Sequence, residues 1–340
     1  MNSMERTLRR MRGEPVDRPP NFDIMMQFAA HHIGEKLSDY YRDYRVLVKA
    51  NIAMLEDFEL DVVQAISDPF REAADFGAKI EFPEDNLPIS RQMLLANPDD
   101  LDKLEAPDPH NGPRMSDRIA AVAAFHDQVG GEVPIVGWVE GAAAEAADLR
   151  GVMNFMLDIY DRPDWLEDLL EICVQNQIRF ARAQVEAGAD MIGLGDSVAS
   201  QVAPSVYRRF VLPYEQRIFD AVHEAGGIAR LHICGDTNAI LDEMVETGAD
   251  IIDIDWMVNI EAAAEAFGDD AVLTGNFDPV GVMLQGSPEE VYQAAYDCLA
   301  KGGPYSISNA GCEIPDNTPH ENLHAQTRAI HDFGERYCQG

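Results

Sequence analysis

"VEAGADMIGLGDS" (residues 185–197) and "VETGADIIDIDW" (residues 245–256) are near copies, and together they set the fold class. Each reads as the end of a helix, a glycine stop, and a short apolar run that finishes on an acid. "HEAGGIARLHICGD" (223–236) and "LAKGGPYSISNAGCE" (299–313) repeat the pattern, and "FGDDAVLTGNFDP" (267–279) is a variant of it. The pattern places strands at Pro134–Val139, Met191–Leu194, Ala229–Ile233, Ile251–Ile254, Val272–Thr274 and Tyr305–Ser308. Two earlier runs, Phe22–Met26 and Asp61–Ala65, fit the same role, and helices such as Pro163–Ala187 and Pro204–Ala225 fill the intervals. Alternating strands and helices make a parallel sheet, and eight such strands predict an α/β fold closed as a (β/α)8 TIM barrel. One domain spanning 1–340, with an N-terminal helical extension over about residues 1–20, is expected. The alternative is an open doubly wound sheet. No GxGxxG or GxxxxGK[ST] follows a strand, so nucleotide phosphate binding has no support.

With 340 residues, 46% hydrophobic and 25% charged, the composition is that of an ordinary globular chain. A net charge of −34 argues against nucleic acid as a partner. It reads as a well-solvated surface or as steering towards a basic partner. No apolar stretch approaches the ~18 residues of a membrane span. The opening "MNSMERTLRRMRGEP" lacks the apolar core of a secretory signal, so a cytoplasmic location is expected. The five cysteines do not suggest a disulfide framework. Cys173 and Cys298 lie in helix-like apolar patterns and Cys338 is read as inert, which leaves Cys234 and Cys312.

Polar residues gather at the strand ends: Glu140, Asp196, His232, Cys234, Asn276 and Cys312. That C-terminal rim is where (β/α)8 barrels build active sites. His232 and Cys234 are two apart, so on a strand they face the same way. In a closed barrel, Cys312 reaches the same rim after the eighth strand. A lone His-x-Cys on an apolar strand is more often packing than ligation. One imidazole and two thiolates, however, suit Zn²⁺ with an open fourth position, the pattern of a catalytic rather than a structural site. Such a site binds and activates a thiol or an oxygen, which are tasks of methyl transfer.

Glu140 reads as a fourth zinc ligand displaced by substrate, as a general acid, or as a plain carboxylate at a helix start. Asp196 in "GLGDS" is a proton donor or acceptor, or a cap. Asp68 in "AISDPF" divides in the same way between capping and catalysis, and His320 reads as part of a helix start. Asp253 and Asp255 share a strand face, so at least one points inward.

These motifs together resemble the uroporphyrinogen decarboxylase superfamily, and within it the zinc-dependent corrinoid methyltransferases. The likeness runs nearly end to end, through "MERTLRRMRGEPVDRPP", "ISDPFREAADFG", "VGWVEGAAAEAADLRG", "LHICGD", "LTGNFDP" and "SNAGCEIPDNTPHENL". It implies a uroporphyrinogen decarboxylase-like TIM barrel. The decarboxylases use no metal and grip propionates with an arginine-rich N-terminal segment, whereas "NFDIMMQFAAHHIG" here has no arginine. Asp68 matches the aspartate of their Ser-Asp motif, but without its arginine partners. The methyltransferase branch carries zinc on a His-x-Cys pair and a distant Cys, matched by His232, Cys234 and Cys312.

The resemblance therefore implies a methyltransferase that moves a methyl group between a small methylated substrate and a corrinoid (cobalamin) carried by a separate corrinoid-binding protein. Glu140 or Asp196 would handle the proton. The apolar segment "FDIMMQF" (22–28) leans towards an organic pocket and O-demethylation of a methoxylated compound. Transfer from a methylcorrinoid to a thiol or pterin, and a metal-free decarboxylase, are the alternatives. A homodimer stays open.

Overall fold

Gly188, Gly226 and Gly248 close their helices with φ of 111°, 88° and 80° in the computed structural model, which describes residues 1–338. Only glycine adopts that backbone without strain, so each helix stops there and a strand begins within three residues. The strands are β1 (Val63–Gln64), β2 (Ile80–Glu81), β3 (Ile89–Ser90), β4 (Ile135–Glu140), β5 (Met191–Gly195), β6 (Ile228–Ile233), β7 (Ile251–Ile254) and β8 (Val272–Thr274). β2 and β3 pair antiparallel with each other, and the other six form one parallel sheet in the order β1-β4-β5-β6-β7-β8.

Two further staves close this sheet into a ring. Asp61 N–H donates to Asn21 O at 2.9 Å, Phe22 N–H to Ser308 O at 2.9 Å, and Ile307 N–H to Leu273 O at 3.0 Å. Single parallel bridges join Asn21 to Ser308 and Thr274 to Ile307. The expected strands Phe22–Met26 and Tyr305–Ser308 therefore exist only as these bridges. Pro19, Pro20 and Pro304 remove donors where each ladder would start. Counted around the ring, His232 stands on the fifth stave and Cys312 follows the eighth.

The closed sheet packs a core against each of its two faces. Inside it, Phe22, Ile24, Val136, Trp138, Met191 and Ile307 pack into one cluster, so the lower barrel is filled rather than hollow. Outside it, alternate strand residues such as Ala229, Leu231 and Ile233 face the helices. The helix Ser3–Met11 seals the bottom. Arg6 and Arg18 both bond to buried Asp61 at 2.6 Å, and Met11 packs against the inner core.

One expected helix is divided. Pro204–Ala225 is two helices, Pro204–Phe210 and Leu212–Glu224, broken at Val211. Pro213 has no N–H for the Arg209 carbonyl and its ring clashes there, so the helix restarts with proline in its first turn. No helix among the described residues is long and apolar enough to cross a membrane.

Candidate metal centre

Strand alternation turns Arg230 and His232 of β6 into the barrel, and Cys234 follows them at the strand's mouth. Cys312 arrives over the end of β7. A Cβ on Gly311 would lie 2.4 Å from the Trp256 backbone nitrogen, so only glycine lets the chain approach this closely. His232 Nε2 and Cys234 Sγ are 3.1 Å apart, the two sulfurs 3.4 Å, and Cys312 Sγ and His232 Nε2 3.9 Å. Among the described residues, this is the group of His, Cys, Asp and Glu whose ligand atoms all lie within 4.8 Å of one another. Tetrahedral zinc with Zn–S of about 2.3 Å and Zn–N of about 2.0 Å places its ligand atoms roughly 3.5–3.8 Å apart. The triangle is within a few tenths of an ångström of that size, and the donor set suits zinc.

His232 is aimed by Asp253. Its Nδ1 lies 3.2 Å from Asp253 Oδ2, which fixes the ring and leaves Nε2 for a metal. Asp253 faces His232 across the β6–β7 pairing and is held in turn. Arg230 Nη2 lies 2.7 Å from Asp253 Oδ2, the Thr274 hydroxyl donates to Oδ1, and Arg230 Nη1 donates to Gln64 Oε1 at 3.0 Å. Asp253 sits at about 2: burial works against its charge, but Arg230 and His232 outweigh burial. Burial likewise opposes charge on His232, yet Asp253 and Cys312 lift it to about 10. The hydrogen bond with Cys312, then burial, pushes the Cys234 thiol well up, while the same bond and His232 hold Cys312 down to about 4. Without metal, His232 and Cys234 thus carry protons that a metal must displace, while Cys312 is already a thiolate.

Glu140, Asp196 and Asp68 fall in three different settings. Glu140 ends β4 and is not among the ligand atoms gathered at the centre. Arg71 donates to its Oε1 at 3.0 Å, and its own N–H donates to Glu72 Oε1 at 3.0 Å. Burial lifts it to about 8 against the pull of Arg71. Asp196 is fully buried beside Gly141, where a Cβ would lie 2.0 Å from its Oδ2. Burial, then Glu215, pushes it well above the usual carboxylate range. Asp68 does have an arginine partner: Arg114, from the helix Pro113–Val129, donates to Oδ2 at 2.5 Å. Asp68 also accepts from Phe70 N–H at 3.2 Å and does not line the cavity, so its setting is that of an anchored cap.

Above the three candidate ligands, and bordered by them, lies a cavity of about 240 Å³. Ile24, Met26, Ile66, Pro69 and Trp138 give it apolar walls, and Glu140, Asp196 and Glu313 also border it. Ile24 and Met26 belong to the segment expected to line an organic pocket. Glu313 accepts from Gln27 N–H at 2.9 Å, and burial raises it to about 7. Sequence reasoning missed Arg230, Arg71 and Glu313. Arg230 had a signal, since it stands two before His232 on the same strand face.

Comparison with known proteins agrees with this geometry. The model of the family described as "Uroporphyrinogen decarboxylase (URO-D)" matches residues 2–333. A methylcobamide:CoM methyltransferase, MtbA, of Methanosarcina mazei is 30% identical over 97% of this chain and 97% of its own. A uroporphyrinogen decarboxylase of Nostoc punctiforme is 28% identical over 93% of this chain and 92% of its own. A solved methyltransferase from Methanosarcina mazei superposes with a TM-score of 0.89 at 27% identity, covering 98% of this chain and 99% of that one.

Proposed function

This chain belongs to the uroporphyrinogen decarboxylase family, and within it we propose that it is a zinc-dependent methyltransferase acting between a corrinoid protein and a small thiol. The observation that carries the reading is the convergence of His232, Cys234 and Cys312 from two separate staves beneath an apolar cavity. A decarboxylase that uses no metal has no need of that triangle. The likeness to a methylcobamide:CoM methyltransferase over nearly the whole length supports the same branch and the direction, from corrinoid to acceptor. Methoxylated substrates have only the apolar walls in their favour.

Zinc held by the three residues would lower the pKa of a thiol in the open fourth position and keep the sulfur nucleophilic. The reaction would join the acceptor's sulfur to the methyl carbon of the incoming methylcorrinoid while the cobalt–carbon bond breaks and its electron pair stays on cobalt. The chain's own residues position and dehydrate. Asp253 holds His232 in one tautomer, Arg230 and Thr274 hold Asp253, and Gln64 holds Arg230. The apolar walls exclude water, and the corrinoid approaches from the open rim on its own protein.

Glu140 takes the thiol proton. At about 8 it is poised near neutral pH, where a base works best. A base must be unprotonated, so acceptor kcat/KM should fall as pH drops below about 8. Glu140→Gln should remove that limb and lower kcat/KM by about 10²-fold, with zinc content unchanged. A variant that keeps the limb, read in a pH–rate profile, would assign the proton to another group.

A further inference from the structure

The lining of the cavity carries the reading above one step further, to the kind of thiol it accepts. We propose that the site takes an uncharged thiol, bearing a neutral oxygen at its far end, and rejects an anionic one.

The first argument is charge. Among the described residues, no lysine or arginine lines the cavity, while three carboxyl groups border it. Two arginines touch residues of the lining, Arg71 through Glu140 and Arg230 over the Trp138 ring, and both are already engaged. Arg71 is held by Glu140 Oε1 at 3.0 Å and by the Asp68 carbonyl at 2.8 Å, and it lies against Glu72. Arg230 is held by Asp253 at 2.7 Å and by Gln64 at 3.0 Å. A carboxylate or sulfonate would therefore enter an apolar space with no cation to pair it, and an unpaired buried anion costs several kcal/mol. The −34 charge of the chain opposes its approach as well.

The second argument is hydrogen bonding. Ser67 Oγ and Trp138 Nε1 belong to residues that line the cavity; both atoms are buried and neither has a partner. Each is a donor, and buried donors are rarely left unpaired. A hydroxyl, ether or carbonyl oxygen on the substrate accepts from them without bringing charge. An apolar stem then lies along Ile24, Met26 and Ile66, with the sulfur over the metal ligands.

This inference rests on the methyltransferase reading, and one experiment separates the two. Zinc-loaded protein is titrated calorimetrically with 2-mercaptoethanol and with 2-mercaptoethanesulfonate, thiols of the same chain length that differ in charge. Methyl transfer from methylcobalamin to each is followed in parallel. The neutral thiol should bind at least about tenfold more tightly, a difference of about 1.4 kcal/mol. Met26→Lys, which places a cation in the wall, should shift the ratio of the two Kd values towards the sulfonate by at least about tenfold.

Equal or tighter binding of the sulfonate by the unaltered protein, with turnover intact, overturns the inference and leaves the methyltransferase reading standing. An unchanged ratio in a folded Met26→Lys protein also overturns it. If neither thiol binds or is methylated, the reading falls and takes the inference with it. Should the lysine variant fail to fold, the comparison on the unaltered protein still decides.

Discussion

Cys312→Ser should strip the centre of its metal. Zinc, expected at about one per chain in the unaltered protein, should fall below roughly a tenth of that in the purified variant, and methyl transfer should drop by at least about 10³-fold. In the proposed centre the Cys312 thiolate would be one of three protein ligands, and its sulfur lies 3.4 Å from Cys234 Sγ and 3.9 Å from His232 Nε2. A hydroxyl is neither as readily ionised nor as soft, so the remaining imidazole and thiolate hold zinc far more weakly. Cys312 lies at the rim rather than in the barrel's inner cluster, so the circular dichroism spectrum should not change. Elemental analysis and a corrinoid absorbance assay on the same preparation read both effects. A variant that keeps zinc and turnover would make the sulfur a bystander.

Asp253→Asn should cost more in stability than in any single contact it breaks. Arg230 is fully buried, and Asp253 is the carboxylate that balances it. An asparagine keeps the shape and removes the charge, which leaves a buried guanidinium uncompensated at about 3–5 kcal/mol, measured by urea unfolding. Arg230→Met in the same chain should recover much of that loss, because it removes the buried guanidinium that Asp253→Asn leaves without a counter-charge. Zinc affinity should not recover with it. His232 has lost the acceptor that fixes its ring, an effect of about 10–100-fold. The zinc titration is run at about pH 9 to reduce proton competition at His232, which Asp253 helps lift to about 10. If the double variant regains zinc affinity along with stability, Asp253 serves the fold and not the metal.

The sequence carried the centre because its logic is periodic. A residue pair two apart on a strand shares a face, and the repeated glycine stops count the staves, so His232, Cys234 and Cys312 could be brought to one rim. The same alternation reaches back to Arg230, and the β6–β7 register reaches across to Asp253. What periodicity does not report is a meeting of loops. Arg71 reaches Glu140 from the segment after β1, and Arg114 reaches Asp68 from a helix beyond the β2–β3 pair. Both are long side chains that meet acids far away in sequence, and nothing local in "DPFREAAD" or "NGPRMSD" announces them. The sequence therefore suggests an Asp68 without arginine partners, and the structure corrects this, because Arg114 occupies it. Glu140, a candidate fourth ligand or proton-handling group, is bonded by Arg71 and stands outside the three gathered ligand atoms. The division of the Pro204–Ala225 helix had a local cause that the glycine pattern overshadowed, since Pro213 sits in its middle.

Metal removal and return tests the central claim most directly. Purified protein is assayed for methyl transfer from methylcobalamin to 2-mercaptoethanol, then treated with a chelator, assayed again, and finally reloaded with zinc. Turnover that disappears with the metal and returns with about one zinc per chain is the predicted result. Undiminished turnover in the metal-free protein, or a zinc-loaded protein that leaves methylcobalamin untouched with every thiol offered, would contradict it.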